Sequence, residues 1–234
     1  MTEQRFNELQ SRGYCYSDFL SLDQQNMYFT MESRPGFRKG LLFGGYEEAE
    51  RKVLYYDLEE APISVVEVKP SVNHFTKVPG HRDYLGSLLG LGLDRKVLGD
   101  ILISQEGDRA WVFCLNKVAD FIVDNLQKVG RVSVKCHISK APDIFLIIKR
   151  KPVRVVVASL RVDSLVSEAF KLSRNESKSL VETGRVFIDG KMLQKSETKV
   201  ISGCKITVRG YGSFIFKEVL GNTKKDKISV VLEI

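Results

Sequence analysis

LRVDSLVSEAFKLSRNESKSLVETGRVFIDGK, residues 160–191, is the stretch on which the fold turns. Its first half spaces Leu165, Val166, Ala169 and Phe170 as the apolar face of a short helix. Ser173 and Glu176 form S-x-x-E, in which each side chain can take the other's backbone N–H, so a second helix should start at Arg174. Leu180 and Val181 continue that helix, and Gly184 stands where a left-handed terminating residue is wanted. A strand over 185–188 and the turn pair Asp189-Gly190 complete the pattern of two short helices packed on a hairpin.

Cations gather on this unit. Arg174 and Lys178, four apart, share one face of the second helix, while Ser177, Leu180 and Val181 can turn to the core. Arg174 also lies at the helix N-terminus, where backbone N–H groups favour an anion. Arg161 precedes the first helix, and Arg185 and Lys191 flank the hairpin. Five cations about a two-helix edge suit a nucleic-acid backbone better than one small ligand, with Ser173 and Asn175 as candidate polar contacts. The charge distribution agrees. Residues 151–234 hold 16 Lys and Arg against 9 Asp and Glu, whereas residues 1–150 hold 20 of each. The net charge of +7 therefore belongs entirely to the C-terminal part.

The 234 residues suffice for two or three small domains, and 43% apolar with 28% charged residues is ordinary globular composition. The polar start MTEQRFNELQSRG does not read as a secretory signal, and IFLII (144–148) and VVVA (155–158) are far shorter than a membrane span. A cytoplasmic protein without membrane contact is the expectation. Cys15, Cys114, Cys136 and Cys204 form no C-x-x-C or Cys/His cluster, so reduced thiols and no metal site are expected. No cofactor is expected, and the lack of a long heptad pattern favours a monomer.

Three parts follow along the chain. Residues 1–60 read as mostly helical, with a short charged helix in EEAER after the turn at Gly44-Gly45. Residues 61–150 read as β-α-β-β-α-β, a ferredoxin-like or RRM-like domain. Its strands are ISVVEVKP (63–70), DILISQE (100–106), RAWVFCLN (109–116), RVSVKCHIS (131–139) and a further one in DIFLIIK (143–149). Its helices are RDYLGSLLG (82–90) and KVADFIVDNLQKVG (117–130), the latter closed by Gly130. RKPVR (150–154) reads as a joint leading into residues 151–234. The fold class is mixed α/β of the α+β kind. Trp111 and Phe113 alternate onto the strand face where an RRM stacks bases, yet core packing is the favoured reading.

The last unit resembles the S4 RNA-binding domain, on Arg161-Val162-Asp163, Leu172-Ser173-Arg174, Gly184-Arg185-Val186 and Asp189-Gly190-Lys191, with ISGCKITVRG (201–210) as closing strand. Cys204 departs from the usual aspartate of that pattern, and Asp189 from a common asparagine. Together with GGYEEAERKVL (44–54), HRDYLGSLLGLGLDRKVLGDI (81–101) and VRGYGSF (208–214), the whole chain resembles the YlmH family of bacterial S4-domain proteins, Ser213 standing in place of an arginine. The resemblance implies a factor that binds rRNA of the large ribosomal subunit, near tRNA, in the quality-control pathway that extends nascent chains on split, stalled ribosomes. The residues by themselves reach only structured RNA. An S4-domain RNA-modifying enzyme, or a general rRNA- or tRNA-binding translation factor, is the alternative.

HRDYLGSLLGLGLDR (81–95) tests the enzyme alternative. The kinase-like HRD lacks its asparagine and any D-F-G, and Gly90-x-Gly92 follows a helix and lacks a third glycine. A His81–Asp83 acid–base pair has no serine or cysteine nucleophile in a matching context. The favoured reading is that Asp83 caps a helix while Gly86, Gly90 and Gly92 permit close packing. A second RNA surface through Arg82, Arg95 and Lys96 ranks next. No catalytic residue is assigned, and a non-enzymatic protein is expected.

Overall fold

The computed structural model describes residues 3–11, 15–71, 78–142, 150–223 and 226–234, and the chain divides into two compact units, Met1–Ile148 and Lys149–Ile234. The strand expected over 143–149 and His74 lie outside the described residues.

The first unit opens with α1 (Glu3–Ser11), β1 (Tyr16–Leu20), α2 (Leu22–Glu32), β2 (Leu41–Phe43) and β3 (Lys52–Tyr55). The three strands form an antiparallel sheet in the order β1-β3-β2, which the helical reading of this segment did not include. Ser21 starts α2 through a reciprocal cap with Gln24. Phe6, Leu9, Leu20, Tyr28, Met31 and Leu54 close a small core beneath it.

EEAER is not helical. Its backbone is claimed from outside: Asp100 accepts from the N–H groups of Glu50 (2.7 Å) and Arg51 (3.2 Å), and Gln25 Nε2 donates to the Glu50 carbonyl at 2.7 Å. Tertiary hydrogen bonds thus outweigh the weak pairing of exposed i,i+4 charges.

The rest of this unit contains β4 (Ile63–Pro70), α3 (His81–Gly90), β5 (Leu98–Ile103), β6 (Ala110–Leu115), α4 (Asn116–Asn125), β7 (Lys128–Val129) and β8 (Val132–Ser139). The sheet order β5-β6-β4-β8-β7, all antiparallel, places the four long strands of the β-α-β-β-α-β unit in the order 2-3-1-4 expected of a ferredoxin-like sandwich. Helix α4 ends sooner than its periodicity suggested. Leu126 and Val129 are buried in the same core as Ala119 and Ile122 but reach it from the turn and from β7, and Gly130 (φ +58°) serves that hairpin.

The two sheet faces differ. Val66, Val68, Val112 and Cys114 face α3 and α4 through Tyr84, Leu88 and Ile122. On the other face Phe113, fully buried, and Trp111, 8% exposed, pack with Tyr46, Ala49 and Val65. The 44–51 segment therefore covers the strand face on which an RRM would stack bases, and the core reading of both aromatics holds.

The second unit contains β9 (Pro152–Val157), α5 (Val162–Phe170), α6 (Arg174–Glu182), β10 (Val186–Ile188), β11 (Lys191–Leu193), β12 (Lys205–Val208), β13 (Gly212–Asn222) and β14 (Ile228–Glu233). Its antiparallel sheet runs β11-β10-β12-β13-β14-β9. Part of the expected joint is thus strand β9, paired along its length with β14. Val162, Leu165, Val166, Leu180 and Val181 seat the two helices on Val186, Ile206, Phe214 and Val230.

Candidate nucleic-acid interface

Helix α6 presents the cations as its sequence indicated. Ser173 Oγ accepts from Glu176 N at 3.2 Å, and Glu176 Oε2 accepts from Ser173 N at 2.9 Å. These bonds hold the Glu176 carboxyl below its ordinary range. The cap occupies two of the N–H groups that a helix start leaves without an internal partner, so those of Arg174 and Asn175 are left for an outside acceptor. Ser177, Leu180 and Val181 are buried, which turns Arg174 and Lys178 outward. Arg174 makes no side-chain hydrogen bond or ion pair among the described residues, and Lys178 only a loose exposed pair with Glu182 at 3.6 Å. Such pairs contribute little and can open to a ligand.

The hairpin end adds more charge. Asp189 (φ +48°) and Gly190 (φ +82°) make the tight turn between β10 and β11, leaving Lys191 exposed at the start of β11. Arg185 Nη2 donates to the Arg209 carbonyl at 2.9 Å, which sets two arginines side by side where β10 meets β12. Arg209 was missed in the sequence. It is distant from Arg185 along the chain, and only strand pairing joins them.

Arg161 is placed differently from the others. Its guanidinium grips Asp163 with both arms, Nη2–Oδ2 at 2.8 Å and Nε–Oδ1 at 3.2 Å, and Glu197 lies 3.9 Å away. Asp163 in turn accepts from Ser164 N at 2.8 Å, so the Arg161/Asp163 pair braces the start of α5.

The second set divides. Arg95 points inward: its Nη1 donates to the carbonyls of Leu98 (2.6 Å) and Gly99 (3.0 Å), and burial lowers its pKa. Beside it Arg51 donates to the carbonyls of Leu98 (2.9 Å), Phe19 (2.9 Å) and Arg95 (3.3 Å). Burial, then the Arg95 charge, lowers Arg51 to about 10, still cationic at neutral pH. Asp100, which also accepts from Tyr46 at 2.9 Å, completes a network joining residues 46–51 to 95–100. Lys96 pairs with Asp94 at 3.0 Å, and Arg82 stays exposed without a side-chain partner among the described residues.

Asp83 caps α3 by accepting from Gly80 N at 2.8 Å, as expected, while the His81 side chain makes no hydrogen bond or ion pair among the described residues. The packing role given to Gly86, Gly90 and Gly92 is corrected: a Cβ at any of them would meet nothing within 4 Å. Gly92 owes its identity to a positive φ of 85°. Among the described residues no group of three or more His, Cys, Asp and Glu could hold a metal ion, and all four cysteines are free thiols.

The comparisons with known proteins meet this geometry. The family model described as "Putative RNA-binding domain in YlmH" matches residues 58–142. The ribosome-associated protein quality control protein P2 of Bacillus subtilis (strain 168) is 31% identical over 201 residues, covering 83% of this chain and 77% of that protein. The chain belongs to the YlmH family. A solved structure described as cell division protein ylmH from Streptococcus pneumoniae is 21% identical, covering 58% of this chain and 86% of that one, with a TM-score of 0.45, too loose a likeness to place a side chain. Membership gives the Arg51, Arg95 and Asp100 network a meaning: two of the YlmH-like motifs, GGYEEAERKVL and HRDYLGSLLGLGLDRKVLGDI, meet there as scaffold. The matching family model is described by RNA binding, and the Bacillus subtilis relative is named for its association with the ribosome.

Proposed function

We propose that this protein is a non-catalytic RNA-binding factor that docks on rRNA of the large ribosomal subunit, beside tRNA, and assists nascent-chain tailing on stalled, split ribosomes. The observation that carries the RNA grip is the outward face of α6, where Arg174 and Lys178 stand above a fully buried Ser177. Arg185 and Lys191 extend the cationic surface to the hairpin, with Ser173 and Asn175 as polar neighbours. Arg161 belongs to the surface through the helix start that it braces, and Arg82 and Lys96 are the exposed cations of the first unit's set. Ribosome association and a quality-control role follow the printed name of the Bacillus subtilis relative; the large-subunit and tailing assignments follow the family resemblance alone, not any contact in the fold.

Co-sedimentation with separated large subunits, small subunits and whole ribosomes across a salt series tests the proposal. The expected result is selective, salt-sensitive binding to large subunits. Arg174→Ala with Lys178→Ala should lower the slope of log affinity against log salt by about two units. Intact association in the double variant would remove α6 from the interface, and no ribosome binding by the unaltered protein would sink the proposal.

A further inference from the structure

We propose that the turn between β12 and β13 is a stacking platform for one unpaired RNA base, with Arg185 and Arg209 on the adjoining phosphate. This rests on the RNA-binding reading of the second unit and names the class of nucleotide it takes. The sequence around the turn is Val208-Arg209-Gly210-Tyr211-Gly212. Gly210 (φ +88°) and Gly212 (φ +120°) both adopt backbone that side-chain-bearing residues avoid, and Tyr211 N donates to the Val208 carbonyl at 3.0 Å. The chain is folded so tightly that Tyr211 is thrown outward, 45% exposed.

The exposed ring is braced from behind. Its centroid lies 5.8 Å from that of Phe170, and Phe170 meets the fully buried Phe214 edge-on at 5.7 Å. Two arginines stand at the same end of the sheet, one flanking each of the paired strands β10 and β12. Arg209 lies over the Phe187 ring at 5.5 Å. Arg185 Nη2 occupies the space that a side chain at Gly210 would fill, 2.9 Å from where its Cβ would stand. No carboxylate pairs with Arg185, and the Tyr211 hydroxyl has no partner, among the described residues. An exposed, rigidly backed aromatic ring, with arginines at the adjoining strand ends, suits an unstacked base and its phosphate. A fully paired helix keeps its bases stacked inside and offers such a ring nothing.

The test compares two labelled RNA hairpins binding the full-length protein, one fully paired and one with a single bulged nucleotide, together with a bulge whose base is removed. The unaltered protein should bind the bulged hairpin about tenfold more tightly than either control. Tyr211→Ala and Tyr211→Leu should abolish that preference without changing the salt slope, the leucine keeping an apolar cover on Phe170. Tyr211→Phe should retain the preference. Arg174→Ala with Lys178→Ala should weaken all three RNAs alike. A bulge preference that survives Tyr211→Leu, or binding of all three RNAs with equal strength by the unaltered protein, overturns the platform but leaves the RNA grip standing. Failure of the unaltered protein to bind any of the RNAs overturns both.

Discussion

A methyl group added at Gly45 would sit 2.3 Å from Phe113 Cδ1, on a residue with φ of +97°. Overpacking against a fully buried ring, together with left-handed backbone, should make Gly45→Ala destabilising by about 2 kcal/mol. Trp111, the single tryptophan, lies in the same cluster, so a lower urea midpoint in its fluorescence is the readout. The cysteines give a second residue-scale prediction. Burial pushes the Cys114 thiol up to about 12 and Cys136 to about 11, whereas Cys15 is exposed. Since the thiolate is the reactive form, alkylation at pH 8 followed by peptide mass spectrometry should modify Cys15 first and Cys114 last. Cys114 and Cys136 stand in apolar, alternating stretches, so their sheltered placement was legible in the sequence. Gly45's constraint was not, because Phe113 reaches it from a distant strand, β6.

At the scale of elements, α6 was the most legible part of the chain. Its cap, its buried face and its outward cations depend on residues within one or two turns, and local spacing decides them. The cap also carries a pH dependence. The Glu176 pKa is lowered in the folded protein, so its stabilisation is fully present above the ordinary carboxylate value and is lost as pH falls through the lowered one. The melting temperature of Glu176→Gln should therefore lie below that of the unaltered protein at pH 7, and the gap should close on titration toward pH 3. Residues 47–51 misled for the opposite reason. Their helix-like charge spacing is a weak local preference, overridden by Asp100 and Gln25 from distant segments. Helix α4 shows the intermediate case, where apolar periodicity persisted past its end because Leu126 and Val129 face the same core from another conformation.

Over the whole molecule, the charge asymmetry and the two units lead to a prediction that separates binding from scaffolding. Arg95→Ala should leave the salt slope of ribosome association unchanged and lower the Trp111 unfolding midpoint, since its guanidinium serves the carbonyls of Leu98 and Gly99. Arg185→Ala should do the reverse, reducing the slope by about one unit with the midpoint intact. Equal slopes for both variants would overturn this division. The sequence by itself determined the two-helix and hairpin unit, the ferredoxin-like strand and helix order, the excess of positive charge over 151–234 and the family. The first three rest on short-range spacing or composition, and the family rests on the resemblance of the motifs. Only the tertiary structure decided which arginines look outward, that residues 44–51 cover the sheet face of Trp111 and Phe113, and that Arg185, Arg209 and Tyr211 share one edge. Those facts depend on pairings between segments far apart in the chain, where burial and backbone hydrogen bonds outweigh any local preference.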